Sequence, residues 1–281
     1  MEHAFRPIQH RPIPNRFKGK IAIITGGAAG LGRAIVEEFC KEGGQVLFTD
    51  ISNRGAEVQQ QDEAAGYQSI CLQGDMADED FCKAAIAETI ARYGRLHYLV
   101  NNAFAFTAQS VNASTKDWMR SFSAGPLAYA RMVQHAYPHM KAAGGGSIVN
   151  ISSISAHIAQ KDRWTYNTSK GAVEQLTKCQ ALDLAPHNIR VNSIAPAWTW
   201  TNETYKAADM DGGGREKWEP IWAKYHMLDR MAEPIEIARP TLFLLSDDAS
   251  FITGASLPVD GGYLSMGPEG LGETAVVAGS D

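Results

Sequence analysis

The stretch Ile21-Ala22-Ile23-Ile24-Thr25-Gly26-Gly27-Ala28-Ala29-Gly30-Leu31-Gly32-Arg33-Ala34-Ile35 passes from an apolar, β-branched run through a glycine-rich turn into a segment with helical spacing. Glycines let such a turn approach a pyrophosphate closely, and the helix that follows presents unpaired N–H groups and a positive dipole end to the anion. Thr25, Gly26, Gly30, Leu31 and Gly32 are therefore candidates for dinucleotide contact. The bland alternative is a loop that needs glycine only to turn; the strand-turn-helix setting argues for the phosphate cradle.

Outward from this unit, short apolar runs alternate with longer amphipathic segments, the pattern of parallel strands joined by crossover helices. Strands are predicted at Ile21–Thr25, Gln45–Asp50, Gln68–Gly74, Leu96–Asn101, Ser147–Ile151, Ile189–Ile194 and Ser256–Val259. The fold class is α/β, a single-domain doubly wound parallel sheet of Rossmann type with helices on both faces. The catalytic domain is placed at 17–266, between a Pro- and Arg-bearing N-terminal arm (1–16) and a Gly-rich, acidic tail (267–281). At 197–229 the rhythm fails: three consecutive glycines and four tryptophans suggest an irregular substrate loop.

The second strand ends on Asp50, about 20 positions beyond the glycines, where a carboxylate accepts hydrogen bonds from ribose hydroxyls and repels a 2′-phosphate. Ala29 stands where a basic side chain would receive that phosphate, and only Arg54 lies nearby, so the expected cofactor is NAD. Asp75 and Met76, after the third strand, are candidates to bracket adenine; a loop aspartate capping its own turn is the competing reading.

Farther on, Ser147-Ile148-Val149-Asn150-Ile151-Ser152-Ser153 closes a strand and Tyr166-Asn167-Thr168-Ser169-Lys170 opens a helix. The i, i+4 spacing stacks Tyr166 and Lys170 on one face. Tyrosine, with a pKa of roughly 10, is a poor base at neutral pH unless a nearby ammonium stabilises its phenolate, and Lys170 can supply that charge. Ser153, at the mouth of the sheet, can hydrogen-bond a substrate oxygen.

Taken together, Thr25 to Gly32 (T-G-x-x-x-G-x-G), Asn101-Asn102-Ala103, Ser153 and Tyr166-x-x-x-Lys170 resemble the short-chain dehydrogenase/reductase family, and more narrowly its sugar and polyol dehydrogenases. The resemblance runs from about Phe17 to Tyr263 and includes Asp260-Gly261-Gly262. It implies a Rossmann-type subunit, usually dimeric or tetrameric, in which Ser153 orients the substrate oxygen, Tyr166 is general acid/base, and Lys170 lowers the tyrosine pKa while binding the nicotinamide ribose. Asn102, Ala103, Pro196, Thr199 and Thr201 join the cofactor candidates.

Three departures fall near the nicotinamide that the resemblance implies. Asn101-Asn102-Ala103 is followed by Phe104 where the family has glycine, and the ring either narrows the pocket or packs in the core. Alignment through Trp118 and Pro138-His139-Met140 places Gly125 where the family has a helix asparagine that holds a relay water for the lysine. Water filling the space beside Gly125, with Lys170 reaching solvent past it, is the favoured reading; slowed relay and lost catalysis are the others. Pro196-Ala197 replaces the usual Pro-Gly, a change a small side chain tolerates.

Five of the six tryptophans, Trp164, Trp198, Trp200, Trp218 and Trp222, fall between Ser153 and the end of the 197–229 segment. Flat apolar faces interleaved with hydrogen-bonding side chains suit a polyhydroxylated ring, so Phe104, Ser155, His157, Gln160, Arg163, Trp198, Trp200 and Tyr205 are substrate candidates. Acidic groups on such a ring would meet Arg163 or Lys206. A hydrophobic alcohol, or an NAD-binding regulatory protein with weakened chemistry, are the alternative functions. A net charge of -5 without a basic stripe argues against nucleic acid as a partner. The four cysteines, Cys40, Cys71, Cys82 and Cys179, show no metal-ligand or paired spacing and read as reduced thiols in a cytoplasmic protein. No metal is expected, no run of about 18 apolar residues argues for a membrane span, and a homo-oligomer acting on a small molecule is the expected form.

Overall fold

The structure, a computed structural model, describes residues 11–271. Seven strands, β1 (Ile21–Thr25), β2 (Gln45–Asp50), β3 (Gln68–Gln73), β4 (Tyr98–Asn101), β5 (Gly146–Ile151), β6 (Ile189–Pro196) and β7 (Ser256–Val259), form one sheet in the order β3-β2-β1-β4-β5-β6-β7. Every pairing is parallel. β1, β4 and nearly all of β5 and β6 are buried, which is why they read as continuous apolar runs rather than as alternation. All seven predicted strands are present, with ends displaced by no more than two residues.

The crossover segments supply α1 (Gly30–Lys41), α2 (Arg54–Ala64), α3 (Glu79–Tyr93), α4 (Thr115–Phe122), α5 (Ala128–Ala142), α6 (Trp164–Leu184) and, after two further helices, α9 (Pro234–Leu245). One face of the sheet is covered by Ile35, Val36 and Phe39 of α1 with Ile237, Leu242 and Leu245 of α9. The other is covered by Ile86 of α3, Met132 and Val133 of α5 and Val173 of α6. The strand order reverses between β1 and β4, and the carboxyl ends of those strands open the crevice where such sheets bind ligands. Among the described residues no helix is long and apolar enough to cross a membrane.

The segment 197–229 corrects the sequence reading. It carries two helices, α7 (Asn202–Met210) and α8 (Gly214–Ala223), joined through Gly212, Gly213 and Gly214, all at positive φ. The glycines that suggested irregularity form one tight left-handed turn. The tryptophans give these helices a core of their own. Trp200, 2% exposed, packs with Ala208 and Met231, and Trp198 and Trp218 each stack on Trp222 at 5.1 Å.

Of the expected N-terminal arm, residues 1–10 lie outside the described residues. The remainder packs on its own chain: the Ile13 amide donates to Glu42 Oε1 (3.0 Å) and Arg16 pairs with Glu42 Oε2 (2.6 Å). Of the tail, Pro268–Leu271 forms a short 3-10 turn, and 272–281 lie outside the described residues.

Candidate active site

At the switch point the end of β1 is stitched to the end of β4. Thr25 Oγ1 accepts the amides of Asn102 (2.9 Å) and Ala103 (3.0 Å), while Asn102 Nδ2 donates to the carbonyls of Thr25 (2.8 Å) and Gly26 (3.2 Å). Thr25 and Asn102 thus hold the crevice in shape, and their side chains are occupied in doing so.

The glycine-rich turn fits a pyrophosphate. Gly26 has φ 71°, and a side chain there would run into Asn102 and Ala103; one at Gly32 would collide with the Gly26 carbonyl. Helix α1 therefore starts flush against the turn. No side chain caps that end of α1, and its first turn holds no acidic residue, so its leading N–H groups face the crevice unopposed. Across the gap, a Cβ at Gly30 (φ 55°) would stand 3.6 Å from Thr201, which puts Thr201 opposite the cradle. Asp50 accepts the Ala28 amide at Oδ2 (3.0 Å) and the Ser52 amide at Oδ1 (2.9 Å), leaving each oxygen further capacity for a hydroxyl donor.

Beyond Asp50 the sequence reading needs correction. Met76 is buried in the core beneath the Thr49 hydroxyl (3.2 Å to its sulfur), so its side chain does not bracket a base. Asp75 Oδ1 accepts the Ala77 amide (2.9 Å), a local cap made with one oxygen of an exposed carboxylate and compatible with either reading of that residue. Pro196 ends β6. Thr199, also buried, turns its hydroxyl to the Ala197 carbonyl.

The reactive centre is assembled from β5 and α6. The helix is anchored where it starts: Thr165 Oγ1 donates to the Thr107 carbonyl (2.5 Å) and accepts the Gln109 amide (3.0 Å), and Asn167 Nδ2 donates to the Ile158 carbonyl (2.8 Å). These bonds set Tyr166 next to Ser153, whose hydroxyl acts on the phenol. From Ser153 a hydroxyl chain runs outward, Oγ donating to Ser155 Oγ (3.1 Å), which donates to Gln160 Oε1 (2.6 Å).

One turn along α6, Lys170 is 3% exposed and donates to the Ile151 carbonyl (2.9 Å). Its ammonium sits 4.1 Å from the centroid of the Phe104 ring. A Cβ added to Gly125, at a kink in the π-helical segment Ser123–Leu127, would meet Phe104 Cε2 at 2.6 Å. The expected water space beside Gly125, and the lysine's outlet to solvent past it, are therefore filled by the Phe104 ring. The pocket-or-core alternatives for Phe104 merge, because the same ring meets Tyr166 edge-on at 5.4 Å.

Burial holds the Lys170 ammonium down to about 7, with the Glu174 carboxylate acting in the opposite direction. Burial also raises Tyr166, which is drawn down by its bond to Ser153 and by the charge of Arg163. The charge of Arg163 acts on the phenol, and the Lys170 ammonium stands 5.9 Å from the centroid of the Tyr166 ring.

Sequence reasoning missed Phe106. It lies two residues beyond Phe104 in a segment without helical structure, and tilts over Tyr166 at 4.8 Å while 55% exposed. The i, i+2 aromatic repeat was its available signal. Arg163 stands between Phe106 (5.6 Å) and Trp198 (5.9 Å), without a carboxylate partner among the described residues. Other substrate candidates are placed elsewhere. Trp200 donates to Glu219 (2.9 Å) inside the lid core, and Tyr205 packs on Trp200 beside Arg215. His157 faces Glu174 (3.8 Å) and Ser256 (3.5 Å), and Lys206 is paired with Glu203 (2.6 Å).

Residues 26–264 match the model of a family described as enoyl-(acyl carrier protein) reductase. A cyclopentanol dehydrogenase of Comamonas sp. is 34% identical over 88% of this chain and 98% of its own length. A trans-4-hydroxycyclohexanecarboxylate dehydrogenase of Sinomonas cyclohexanicum is 35% identical over 89% of this chain and 95% of its own. The ligand-free structure of Thermoplasma acidophilum aldohexose dehydrogenase superposes with a TM-score of 0.83 at 36% identity, covering 91% of this chain and 98% of that one.

The buried lysine leads to a stability prediction for the ligand-free chain. Unfolded, Lys170 keeps its proton to about 10.5; folded, it loses it near 7. Between those values the unfolded state binds more protons, so the Lys170 contribution makes stability rise with pH. Below about 7 both states are protonated and the penalty is constant. Lys170→Met should therefore melt above the wild type at neutral pH, with the gap closing as pH approaches 10; a gap that does not change with pH would contradict the assignment. With crevice, cradle and Ser153–Tyr166–Lys170 in place, the chain belongs to the short-chain dehydrogenase/reductase family and is an oxidoreductase of CH–OH groups.

Proposed function

We propose that the protein moves a hydride between NAD and a secondary alcohol or hemiacetal carbon on a sugar- or polyol-like ring. The observation that carries this reading is the adjacent Ser153–Tyr166 pair with Phe104 and Phe106 against the Tyr166 ring and the Arg163 guanidinium between Phe106 and Trp198. Flat faces beside hydrogen-bonding groups suit the alternating faces of a saturated ring. The named relatives act on ring alcohols: a cyclopentanol, a hydroxycyclohexanecarboxylate and an aldohexose. That supports a ring over a linear chain.

A bound nicotinamide nucleotide supplies the hydride acceptor. The chain's residues do the remainder. Gly26, Gly30, Leu31 and Gly32 would hold its pyrophosphate, and Asp50 its adenosine ribose. Ala103, Pro196, Thr199 and Thr201 would border its nicotinamide end, and Lys170 that ribose. Ser153 holds the substrate oxygen while Tyr166 takes the hydroxyl proton during oxidation. The carboxylate of Asp50 favours NAD, because a 2′-phosphate beside it would be repelled.

Burial pushes the Cys40 thiol up to about 12 and those of Cys71 and Cys82 to about 11, and all four cysteines are free. Four unpaired thiols support the reading of a cytoplasmic protein.

Three measurements test this reading. In an assay of NADH appearance with aldoses, polyols and cyclic alcohols, Tyr166→Phe should lose at least about 100-fold in turnover while NAD affinity stays near wild type; substantial residual activity would remove Tyr166 from the reaction. Asp50→Asn keeps an acceptor for the Ala28 amide but removes the charge, so the NAD to NADP preference should fall by about tenfold or more, and an unchanged ratio excludes Asp50 from cofactor choice. Arg163→Gln should lower kcat/KM for a uronic acid by about tenfold more than for the parent aldose, since a guanidinium pairs with the carboxylate beside Phe106 and Trp198. Equal losses would deny Arg163 a part in substrate selection.

A further inference from the structure

Two departures from the family pattern that are far apart in sequence prove to be one exchange in space. The ring of Phe104 lies where a side chain on Gly125 would go, 2.6 Å from the Cβ that position would carry, and its π-face covers the Lys170 ammonium at 4.1 Å. The other groups around Nζ are the Ile151 carbonyl, which also accepts the hydroxyl of Tyr129 (3.3 Å), itself 1% exposed and so closed to solvent, the Tyr166 ring at 5.9 Å and, farther along α6, Glu174. None of these conducts a proton outward from the lysine. A carbonyl has no proton to pass on, and aromatic faces have none to exchange.

On the opposite side of Tyr166 the chain offers a continuous set of hydroxyls. Tyr166 stands next to Ser153, whose hydroxyl acts on the phenol; Ser153 Oγ donates to Ser155 Oγ (3.1 Å), and Ser155 Oγ donates to Gln160 Oε1 (2.6 Å). Ser153 and Ser155 are buried, whereas Gln160 is only partly so and is flanked by exposed Ala159 and Lys161. The Ser155 amide also donates to Ser153 Oγ (3.1 Å), which fixes the first hydroxyl for both neighbours. A hydroxyl donates and accepts at once, so it can receive a proton while releasing its own.

We propose that the Phe104–Gly125 exchange closes the lysine side of the site to proton traffic, and that the proton of the reaction leaves through Ser153 and Ser155 to solvent at Gln160. The inference rests on Tyr166 being the acid/base of the proposed function. During oxidation the substrate C–H bond gives its electron pair and hydrogen as hydride to the nicotinamide, and the substrate O–H proton goes to the Tyr166 phenolate, forming the carbonyl. Tyr166 then returns to phenolate by passing its proton to Ser153 Oγ as Ser153 releases its own to Ser155. Ser155 releases its proton to a solvent water or buffer base beside Gln160. Phe104 acts as a positioning residue through Lys170, and Ser155 as a relay one hydroxyl removed from the substrate.

The test uses the full chain, in two backgrounds: wild type, and Phe104→Gly with Gly125→Asn, which restores the family's residues together. Ligand-free melting comes first. Gly125→Asn alone meets the Phe104 ring and Phe104→Gly alone leaves its volume unfilled, so each single variant should melt below the double. Singles whose losses simply add would show that the two positions are not exchanged in space and would overturn the proposal. Second, ultraviolet difference titration referenced to Tyr166→Phe should place the Tyr166 phenolate at lower pH in the double variant, where a rehydrated Lys170 carries charge; an unmoved titration would overturn the closure.

Third, with the ring alcohol found in the NADH panel, Ser155→Ala in the wild type should cost about tenfold in kcat, below the 10²–10⁴-fold of the acid/base group itself. It should also change the solvent deuterium isotope effect, with Ser155→Thr restoring both. The same substitution in the double variant should cost markedly less, because the lysine side is open there. Equal losses in the two backgrounds, or no loss in the wild type, would overturn the relay. Should the double variant fail to fold, the Ser155→Ala and Ser155→Thr pair in the wild type decides on the isotope effect alone. A working Tyr166→Phe enzyme would instead remove the proposed function itself, so the two failures are distinguishable.

Discussion

The arrangement of the site depends on the stitch between Thr25 and the Asn102–Ala103 backbone. Parallel strands leave their carboxyl ends splayed where the strand order reverses, and at that point the sheet provides no ladder bonds to hold the loops. One threonine hydroxyl taking two amides, and one asparagine amide returning to two carbonyls, close this gap from both sides. The same four bonds bring Gly26 against Asn102, so the phosphate cradle and the loop carrying Phe104 and Phe106 are one mechanical unit. Neutral hydrogen bonds contribute only about 1 kcal/mol each net. Their value here is the geometry they leave no alternative to.

Around that unit the chemistry is governed by burial. Lys170 is nearly fully enclosed, with a carbonyl, an aromatic face and a distant carboxylate as its only recompense, and it answers by giving up its proton near neutrality. Tyr166 answers the same environment by holding its proton more tightly, relieved by Ser153 and Arg163. Two neighbouring titratable groups both displaced from their ordinary ranges are the electrostatic mark of a functional site. Charge, ribose hydroxyls or a substrate oxygen brought near either group shifts the balance.

The lid α7–α8 is stabilised separately. Trp198, Trp200, Trp218 and Trp222 pack on one another and on Met231, and Arg215 ties Glu219 to Glu233 across the base of the bundle. Only Trp198 remains available to the site, through its contact with Arg163. The density of tryptophan in this stretch therefore reports on packing more than on recognition.

The doubly wound sheet, the cradle, Asp50 and the Ser153–Tyr166–Lys170 set were all legible in the amino-acid order. Each rests on short-range rules: strand burial, a glycine turn into a helix, and i, i+4 spacing. Contacts between residues distant in sequence were not legible, because no local periodicity encodes them. Met76 read as a loop residue facing adenine, yet its side chain turns into the core. Trp200 read as a substrate surface and proves to be the interior of the α7–α8 pair, while Tyr205 packs on it from outside. Phe104 and Gly125 read as two separate losses, one filling a space and one leaving it. The sequence by itself determined which groups could carry a proton. Only the tertiary structure decided which path is blocked by a ring, because a vacated side-chain volume and the side chain that fills it come from different elements and meet only in the folded core.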